Sequence, residues 1–426
     1  KTGDLAVRAS FQVSYESLAA GPARVFRLLG LWQGASINLS AAAALVGEPE
    51  DDVADALEGL VDVNLLESPA PDWYRFHDLL KVYATERARA EEPESAREDA
   101  VSRLLWWYLN TAEAAADTVS PQRYQVRYEP RVPRHPPLAF ADVEGSLAWY
   151  DDERANIVAA TRQAAAAGLP EVASRLPSTL WPLFNRRANW VDCVTTYHVA
   201  AESAAEAGDR LGEAWALNQL GYALVGLHEP EAIKHLERAL AIREEFGDSL
   251  GEAQTAIAIG VHFRGREANQ DALRYMTRAA ALLEPMGATS LRSVALNNLG
   301  EVYRALGELD AAAGCYLRAL DIGREIGGHA EGHALNNLGL VYMRQQRLDE
   351  AVARLEEAVS RHRASGDRGG EAEALMNLGR AQAETGDRTV ARASLTEALR
   401  IAEQTGNQEL AAEALALLAE LPPGHQ

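Results

Sequence analysis

The stretch Ala295-Leu-Asn-Asn-Leu-Gly300 decides the fold, because it returns almost unchanged as Ala334-Leu-Asn-Asn-Leu-Gly339. Related copies end at Gly221, Gly260 and Gly379, so these glycines recur every 39 or 40 residues. Two further columns keep the same step, namely Ala239, Ala279, Ala319, Ala358 and Ala398, and Gly247, Gly287, Gly327, Gly366 and Gly406. Three columns with one period indicate that a single structural unit is repeated.

Each unit is predicted to be a helical hairpin. A small residue within the first helix lets a neighbouring helix approach closely, and a glycine after the second helix supplies a left-handed cap that ends it. One hairpin cannot bury its apolar face alone, whereas stacked hairpins bury a continuous core. The pattern therefore predicts a mainly α fold built as an α-solenoid.

The units resemble the tetratricopeptide repeat. Gly300 is followed by Tyr303 and by the run 307–319, and the same spacing returns with Gly339 and Tyr342. The usual repeat has about 34 residues, so these units are longer, and in that they resemble the repeats of kinesin light chains and of bacterial peptide-sensing regulators. The resemblance implies a right-handed superhelix over residues 170–426, with one degenerate repeat, five clear repeats and a C-terminal capping helix.

The composition argues against two classes of partner. A formal net charge of -21 repels a phosphate backbone, so direct contact with nucleic acid is not expected. No apolar run approaches the ~18 residues that a membrane helix needs, which predicts a cytoplasmic protein without a membrane partner. Cys193 and Cys315 are expected to be buried free thiols. Because the chain begins at Lys1 and not at Met, we expect a piece of a longer protein.

Residues 1–95 depart from the repeat and predict a winged-helix-like domain. Three helices are expected there, followed by short strands at 64–66 and 73–76 around a turn at 68–72. The third helix lies in the segment 48–62, which carries seven acidic residues and no Lys or Arg. Such a helix is unsuited to reading DNA, because it would repel the phosphates.

The segment Tyr74-Arg-Phe-His-Asp-Leu-Leu-Lys-Val-Tyr-Ala84 resembles the His-Asp signature of signal-transduction NTPases with numerous domains, the NB-ARC-like class. That resemblance implies that His77, followed by Asp78, reaches the β-phosphate of bound ADP and holds the off state. The alternative is that His77 is a hydrogen-bonded packing residue. The 426 residues contain no Gly-x-x-x-x-Gly-Lys-Ser/Thr phosphate loop. We therefore expect no cofactor in this chain, and ADP or ATP in an upstream domain.

Residues 96–169 are predicted to form a helical linker with a proline-rich loop at 121–138. The sequences of residues 147–157 and 74–84, together with the long repeats, resemble the C-terminal half of actinobacterial antibiotic regulatory proteins. The resemblance implies the sensor region of a transcriptional regulator, with nucleotide-binding and DNA-binding domains upstream in the same polypeptide. The alternative is a repeat adaptor that assembles proteins without a switch. An enzyme is not expected, because no nucleophile elbow or acid/base pair is recognisable.

The inner wall of the solenoid is the predicted site for a signal. Positions six and three before, and one and four after, the motif glycine should face inward, with Arg344 one place beyond its column. The candidate residues are Trp215, Asn218, Tyr222, Gln254, Arg264, Asn297, Glu301, Arg304, His333, Asn336, Arg344 and the flanking Asn377. Asparagines can pair with an extended peptide backbone, and arginines with a carboxylate. A peptide, a protein or a small molecule would fit. Alternatively, the asparagines bond to neighbouring helices and fix the repeat spacing.

The repeats that carry Asn297, Arg304, Asn336 and Arg344 are predicted to hold the densest part of this site. His329 and His333 lie at i and i+4 in the same region. No carboxylate or cysteine joins them at metal-ligand spacing in the sequence, so a metal is not expected.

Overall fold

The computed structural model describes residues 11–121, 135–187, 189–287, 289–326 and 330–421. They form two compact units, which divide between Ile242 and Arg243. The predicted domain boundaries at 95 and 169 both fall inside the first unit and stay predictions.

The first unit begins with helices and a small sheet. After a helical stretch over residues 11–16, the elements are α1 (Ala20–Leu29), β1 (Ile37–Asn38), α2 (Leu39–Val46), α3 (Glu50–Asp62), β2 (Glu67–Ala70) and β3 (Trp73–Arg75). The sheet is antiparallel, in the order β1, β3, β2. Helices α1 to α3 bury Phe26, Leu45 and Leu57 completely. Phe26 packs edge-on against Phe76, the residue before His77, with ring centroids 5.2 Å apart.

The predicted strand at 64–66 is wrong. Asn64 adopts φ 57°, and the backbone N–H groups of Leu65 and Leu66 donate back to the carbonyl of Leu60, so these residues close helix α3 as a turn. The strand begins at Glu67 and runs through part of the predicted turn. A third strand, Ile37–Asn38, was not predicted, because a strand of 2 residues has no recognisable alternation.

Three long helices follow, α4 (Asp78–Glu91), α5 (Glu94–Val119) and α6 (Val143–Ala166). Trp32 stacks on Tyr108 of α5 with ring centroids 5.4 Å apart. Gln163 of α6 donates to the carbonyl of Leu31 and accepts from the N–H of Gln33. Residues 31–33, which follow α1, thus contact the predicted linker. Most of the proline-rich loop, residues 122–134, lies outside the described residues.

The remaining helices are hairpins. In the first unit they are α7 (Pro170–Thr179), α8 (Trp181–Arg187), α9 (Trp190–Glu206), α10 (Arg210–Gly226) and α11 (Ala232–Phe246), the last of which continues past the division. In the second unit they are α12 (Ser249–Arg264), α13 (Asn269–Leu283), α14 (Ser290–Ala305), α15 (Leu309–Ile326), α16 (Ala330–Arg344), α17 (Leu348–Ser365), α18 (Arg368–Thr385), α19 (Arg388–Thr405) and α20 (Gln408–Glu420). The predicted mainly α, tetratricopeptide-type solenoid is confirmed. Among the described helices, none has the length and apolar character that crossing a bilayer requires.

The repeated small residues close each hairpin. Every motif glycine lies in a first helix, under a large side chain of the second helix of the same hairpin, as in the pairs Gly221 and Leu236, Gly260 and Met276, Gly300 and Tyr316, Gly339 and Leu355, and Gly379 and Leu395. The alanine column is fully buried on the second helices. Gly366 ends α17 with φ 72°, the left-handed cap that its column predicts, while Gly327 lies outside the described residues.

Candidate functional site

Two of the predicted asparagines join neighbouring repeats in the second unit. Asn377 on α18 donates from Nδ2 to Oδ1 of Asn336 on α16 at 3.0 Å, and Asn336 donates from its own Nδ2 to Glu373 at 3.1 Å. Both asparagines are 3% exposed. Because their amides are already paired across the repeat boundary, this geometry favours the spacing role over contact with a partner.

The first helices of the two preceding repeats, α12 and α14, also carry predicted groove residues, and some of these are charged. Arg264 at the end of α12 forms an ion pair with Glu301 of α14. Arg304 lies beside Tyr316; burial raises the pKa of that phenol to about 12, and the nearby guanidinium opposes the rise. Arg344 is exposed. Two of the predicted groove residues thus pair with one another, and Arg344 faces solvent.

Two amide side chains in this region carry buried, unpaired oxygens. Oε1 of Gln254 on α12 and Oδ1 of Asn297 on α14 are buried, and neither has a hydrogen-bond partner among the described residues. A buried acceptor without a partner costs about 1–3 kcal/mol, so such a group in a native fold calls for an explanation. Both residues are half-buried, which leaves the rest of each side chain accessible. These two residues, Gln254 and Asn297, are called the unpaired amides below.

The first unit holds the other predicted groove residues. Trp215 and Asn218 are both 6% exposed. Asn218 donates weakly to Gln219 at 3.4 Å, while its Oδ1 is a third buried acceptor without a partner in the described chain. Tyr222 stands edge-on to Trp181 with centroids 5.3 Å apart. Trp215 and Tyr222 therefore belong largely to packing.

A histidine cluster lies where sequence reasoning expected no metal. His333 on α16 is brought beside His362 on α17 and Asp367 before α18. Burial, more than the neighbouring His333, lowers the pKa of His362, and Asp367 opposes the shift. Sequence reasoning paired His333 with His329, which lies outside the described residues. It missed His362 and Asp367 because they belong to the following hairpins.

His77 lies at the surface, just before α4. Its side chain is 74% exposed, and Nε2 lies 2.7 Å from Oε1 of Glu67 on β2. The hydrogen bond from Arg75 is the main cause that lowers the pKa of Glu67. Asp78 is exposed, and so are the apolar side chains of Leu79, 56% exposed, and Val82, 49% exposed. His77 is thus exposed, and the helix that follows it carries two exposed apolar side chains.

A buried carboxyl group connects the sheet to the long helices. Glu153 on α6 is completely buried and accepts hydrogen bonds from Asn38, from Tyr108 at 3.1 Å and from Asn156 at 2.8 Å. Burial raises the pKa of Glu153 to about 7, although the three donors oppose the shift. The sequence of 147–157 does not single out Glu153, because burial by neighbouring elements is not visible in it.

The repeated helical hairpins, with their glycine and alanine columns, define a tetratricopeptide-type α-solenoid. A family model described as "Tetratricopeptide repeat" matches residues 213–284, 291–342 and 331–404.

The relatives are regulators. The regulatory protein AfsR of Streptomyces griseus is 32% identical over 442 residues, which cover 96% of this chain and 45% of that protein. The regulatory protein AfsR of Streptomyces coelicolor is 33% identical, with 95% of this chain and 32% of that protein covered. This chain therefore spans less than half the length of the two Streptomyces regulatory proteins to which it is similar.

Two solved structures are similar to parts of this chain. A signal transduction ATPase with numerous domains (STAND) that has a tetratricopeptide repeat sensor, from Pyrococcus horikoshii, covers 96% of this chain and 60% of its own, at 16% identity and a TM-score of 0.48. A Rap protein complexed with competence and sporulation factor covers 76% of this chain and 98% of its own, at 14% identity and a TM-score of 0.45.

Proposed function

We propose that this chain is the sensor region of a transcriptional regulator of antibiotic biosynthesis. The observation that carries the proposal is the match of 96% of the chain to part of a Streptomyces regulatory protein. In this proposal the repeats bind a signal. The predicted winged-helix-like domain controls a nucleotide-dependent switch and a DNA-binding domain that lie upstream in the polypeptide. The chain itself contacts neither DNA nor a membrane, and it is not an enzyme.

In this proposal the switch is controlled through His77, which lies between β3 and α4. In this proposal the β2–β3 hairpin and α4 form the wing side of a winged-helix domain, and His77 donates to the β-phosphate of ADP held by the upstream domain. The exposure of His77 supports this role, because a buried imidazole could not reach a second domain. In this proposal that domain also covers Leu79 and Val82, which are exposed about one helical turn apart on α4. Glu67 orients the imidazole until the nucleotide binds.

The signal binds on the first helices of the second unit, at the unpaired amides. Gln254 and Asn297 each present a buried acceptor that an N–H donor of an extended peptide would satisfy. In this proposal Asn336 and Asn377 act as spacers, because their side chains already bond to each other. The proposed contact is therefore shifted from the repeats that the sequence favours toward α12 and α14. A peptide backbone is the ligand class that matches unpaired acceptors best, because its N–H groups repeat at regular intervals.

The experiment compares three versions of the full-length protein. Reporter transcription and binding of the peptide-sized fraction of a culture extract are measured for wild type, for Gln254→Ala with Asn297→Ala, and for Asn336→Ala. The proposal predicts that the double variant keeps its thermal stability and loses both binding and response. Asn336→Ala is predicted to lose stability first, as expected of a spacer.

The adaptor alternative has its own signature. Sequence upstream of Lys1 that lacks a phosphate loop, together with a reporter that ignores all the variants, would replace the switch with a scaffold. A phosphate loop in that sequence would support the switch.

A further inference from the structure

We propose that His333, His362 and Asp367 form a binding site for a divalent transition-metal ion of the Zn²⁺ type. His333 lies on α16, His362 lies on α17, and Asp367 is the N-cap of α18. One ligand atom of each residue lies within 4.8 Å of those of the other two. Two imidazole nitrogens with a carboxylate oxygen are a donor set that binds zinc and related ions. The inference is independent of the proposed function.

The distances suit a small ion. His362 Nδ1 lies 3.0 Å from Asp367 Oδ2, and His333 Nε2 lies 3.6 Å from the same oxygen. Zinc bonds of about 2.1 Å place tetrahedral ligand atoms roughly 3.4 Å apart. Two of the three separations are therefore close to a bound geometry. The side chain of His333 is 51% exposed, so its ring can rotate the remaining distance and leave a coordination position open to water.

The other two ligands are held in place by their surroundings. His362 is 1% exposed, and its ring is wedged between Gly332 and Gly370. A Cβ atom at Gly332 would lie 2.6 Å from His362 Nε2, so a glycine is needed for the ring to fit. Asp367 uses Oδ1 to accept from the N–H of Gly370 at 3.0 Å, which turns Oδ2 toward both histidines. Ligands fixed in this way bind a metal with little reorganisation.

The charge of Asp367 is left for a cation. Within the described residues Asp367 pairs with the two histidines, whereas two nearby carboxylates pair with arginines. Glu331 pairs with Arg361 at 3.2 Å, and Glu371 pairs with Arg363 at 2.9 Å. Glu331 and Glu371 are thus paired with guanidinium groups, whereas Asp367 faces imidazoles.

An earlier repeat fills the same position with a permanent cation. Arg243 stands four residues after Ala239, as His362 stands four residues after Ala358. Arg243 is 1% exposed, and its Nε lies 3.9 Å from Oδ2 of Asp248, the capping residue of α12. The fold therefore places a buried positive group against a capping aspartate at this point of the repeat. Where the sequence has histidine, a metal ion would supply that charge.

The test uses the tag-free chain, stripped with a chelator and titrated with ZnCl₂ by calorimetry in a buffer that does not bind metal. The proposal predicts one ion per chain and a rise in the melting temperature with zinc. His333→Ala changes an exposed side chain, and Asp367→Asn keeps the capping oxygen. Each should weaken zinc binding about tenfold or more. His198→Ala is the matched control, because His198 faces His235 with centroids 5.6 Å apart, and no carboxylate completes a cluster among the described residues.

Absence of zinc binding by the wild-type chain would overturn the proposal, and the cluster would then be a hydrogen-bonded pair with a third ring beside it. Binding that survives both His333→Ala and Asp367→Asn would also overturn it, since the ion would lie elsewhere. Because His333→Ala leaves the buried His362 intact, its melting temperature without zinc shows whether the variant is folded.

Discussion

The ring of Tyr316 lies directly over Gly300, so that a Cβ atom on the glycine would come within 2.6 Å of Tyr316 Cε1. Gly300 sits in the first helix of its hairpin and Tyr316 in the second. The hairpin therefore leaves room for only a hydrogen atom at this position. This explains why glycine returns here in each of the five clear repeats.

Gly300→Ala should destabilise the chain by about 1–3 kcal/mol, because the added methyl group forces the Tyr316 ring or the helices apart. Chemical denaturation monitored by circular dichroism measures the change. Gly314→Ala is the matched control, since Gly314 lies in α15 with nothing within 4 Å of its Cβ position. That variant should gain about 0.5–1 kcal/mol from helix propensity. Equal effects at the two positions would contradict the packing argument.

Asn336→Ala should cost about 1–3 kcal/mol of unfolding free energy, because it strands the buried amide of Asn377. Asn297→Ala, which leaves no described partner behind, should change stability by less than about 0.5 kcal/mol. A double-mutant cycle of Asn336→Ala with Asn377→Ala should show a coupling of about 0.5–3 kcal/mol. Additive effects would show that the observed hydrogen bond does not hold the repeats together.

The carboxyl group of Glu153 should make stability depend on pH. Its pKa is raised from 4.5 to about 7, so the folded state holds this proton more tightly than the unfolded state does. The resulting stabilisation is fully present below about pH 4.5 and is lost as the pH rises through 7. It amounts to about 3 kcal/mol.

Unfolding free energies measured between pH 4.5 and 8 check this, with Glu153→Gln as the comparison. Other groups titrate in both proteins, so the difference between the two curves isolates Glu153. Wild type should lose stability relative to Glu153→Gln across that interval. Parallel curves would mean that the three donors from Asn38, Tyr108 and Asn156 keep Glu153 ionised throughout.

The repeats were predictable because their signal is local and periodic. Each motif glycine and each buried alanine belongs to one hairpin, so the columns are visible without knowledge of distant contacts. The strand at 64–66 was mispredicted for the opposite reason, because the backbone of Leu65 and Leu66 turns back onto Leu60. Alternating residue types cannot report such a turn.

The candidate sites were less predictable than the fold. Helical spacing placed Asn297 and Asn336 on equivalent positions. It could not show that Asn336 meets Asn377, while Oδ1 of Asn297 has no partner among the residues that the structure describes. The cluster at His333 also depends on packing between hairpins. A sequence signal did exist, because His362 occupies the column in which an earlier repeat has Arg243.

The measurement that tests the central claim most directly is ADP retention by the full-length protein with and without His77. If His77 donates to the β-phosphate, His77→Ala should release ADP about 10- to 100-fold more readily and raise basal transcription, since a charge-assisted hydrogen bond contributes about 1.5–3 kcal/mol. Glu67→Gln removes the partner of His77 in the hairpin and should leave retention intact or stronger. The isolated 426-residue chain should bind no ADP. Unchanged retention in His77→Ala, or tight ADP binding by the isolated chain, would contradict the account.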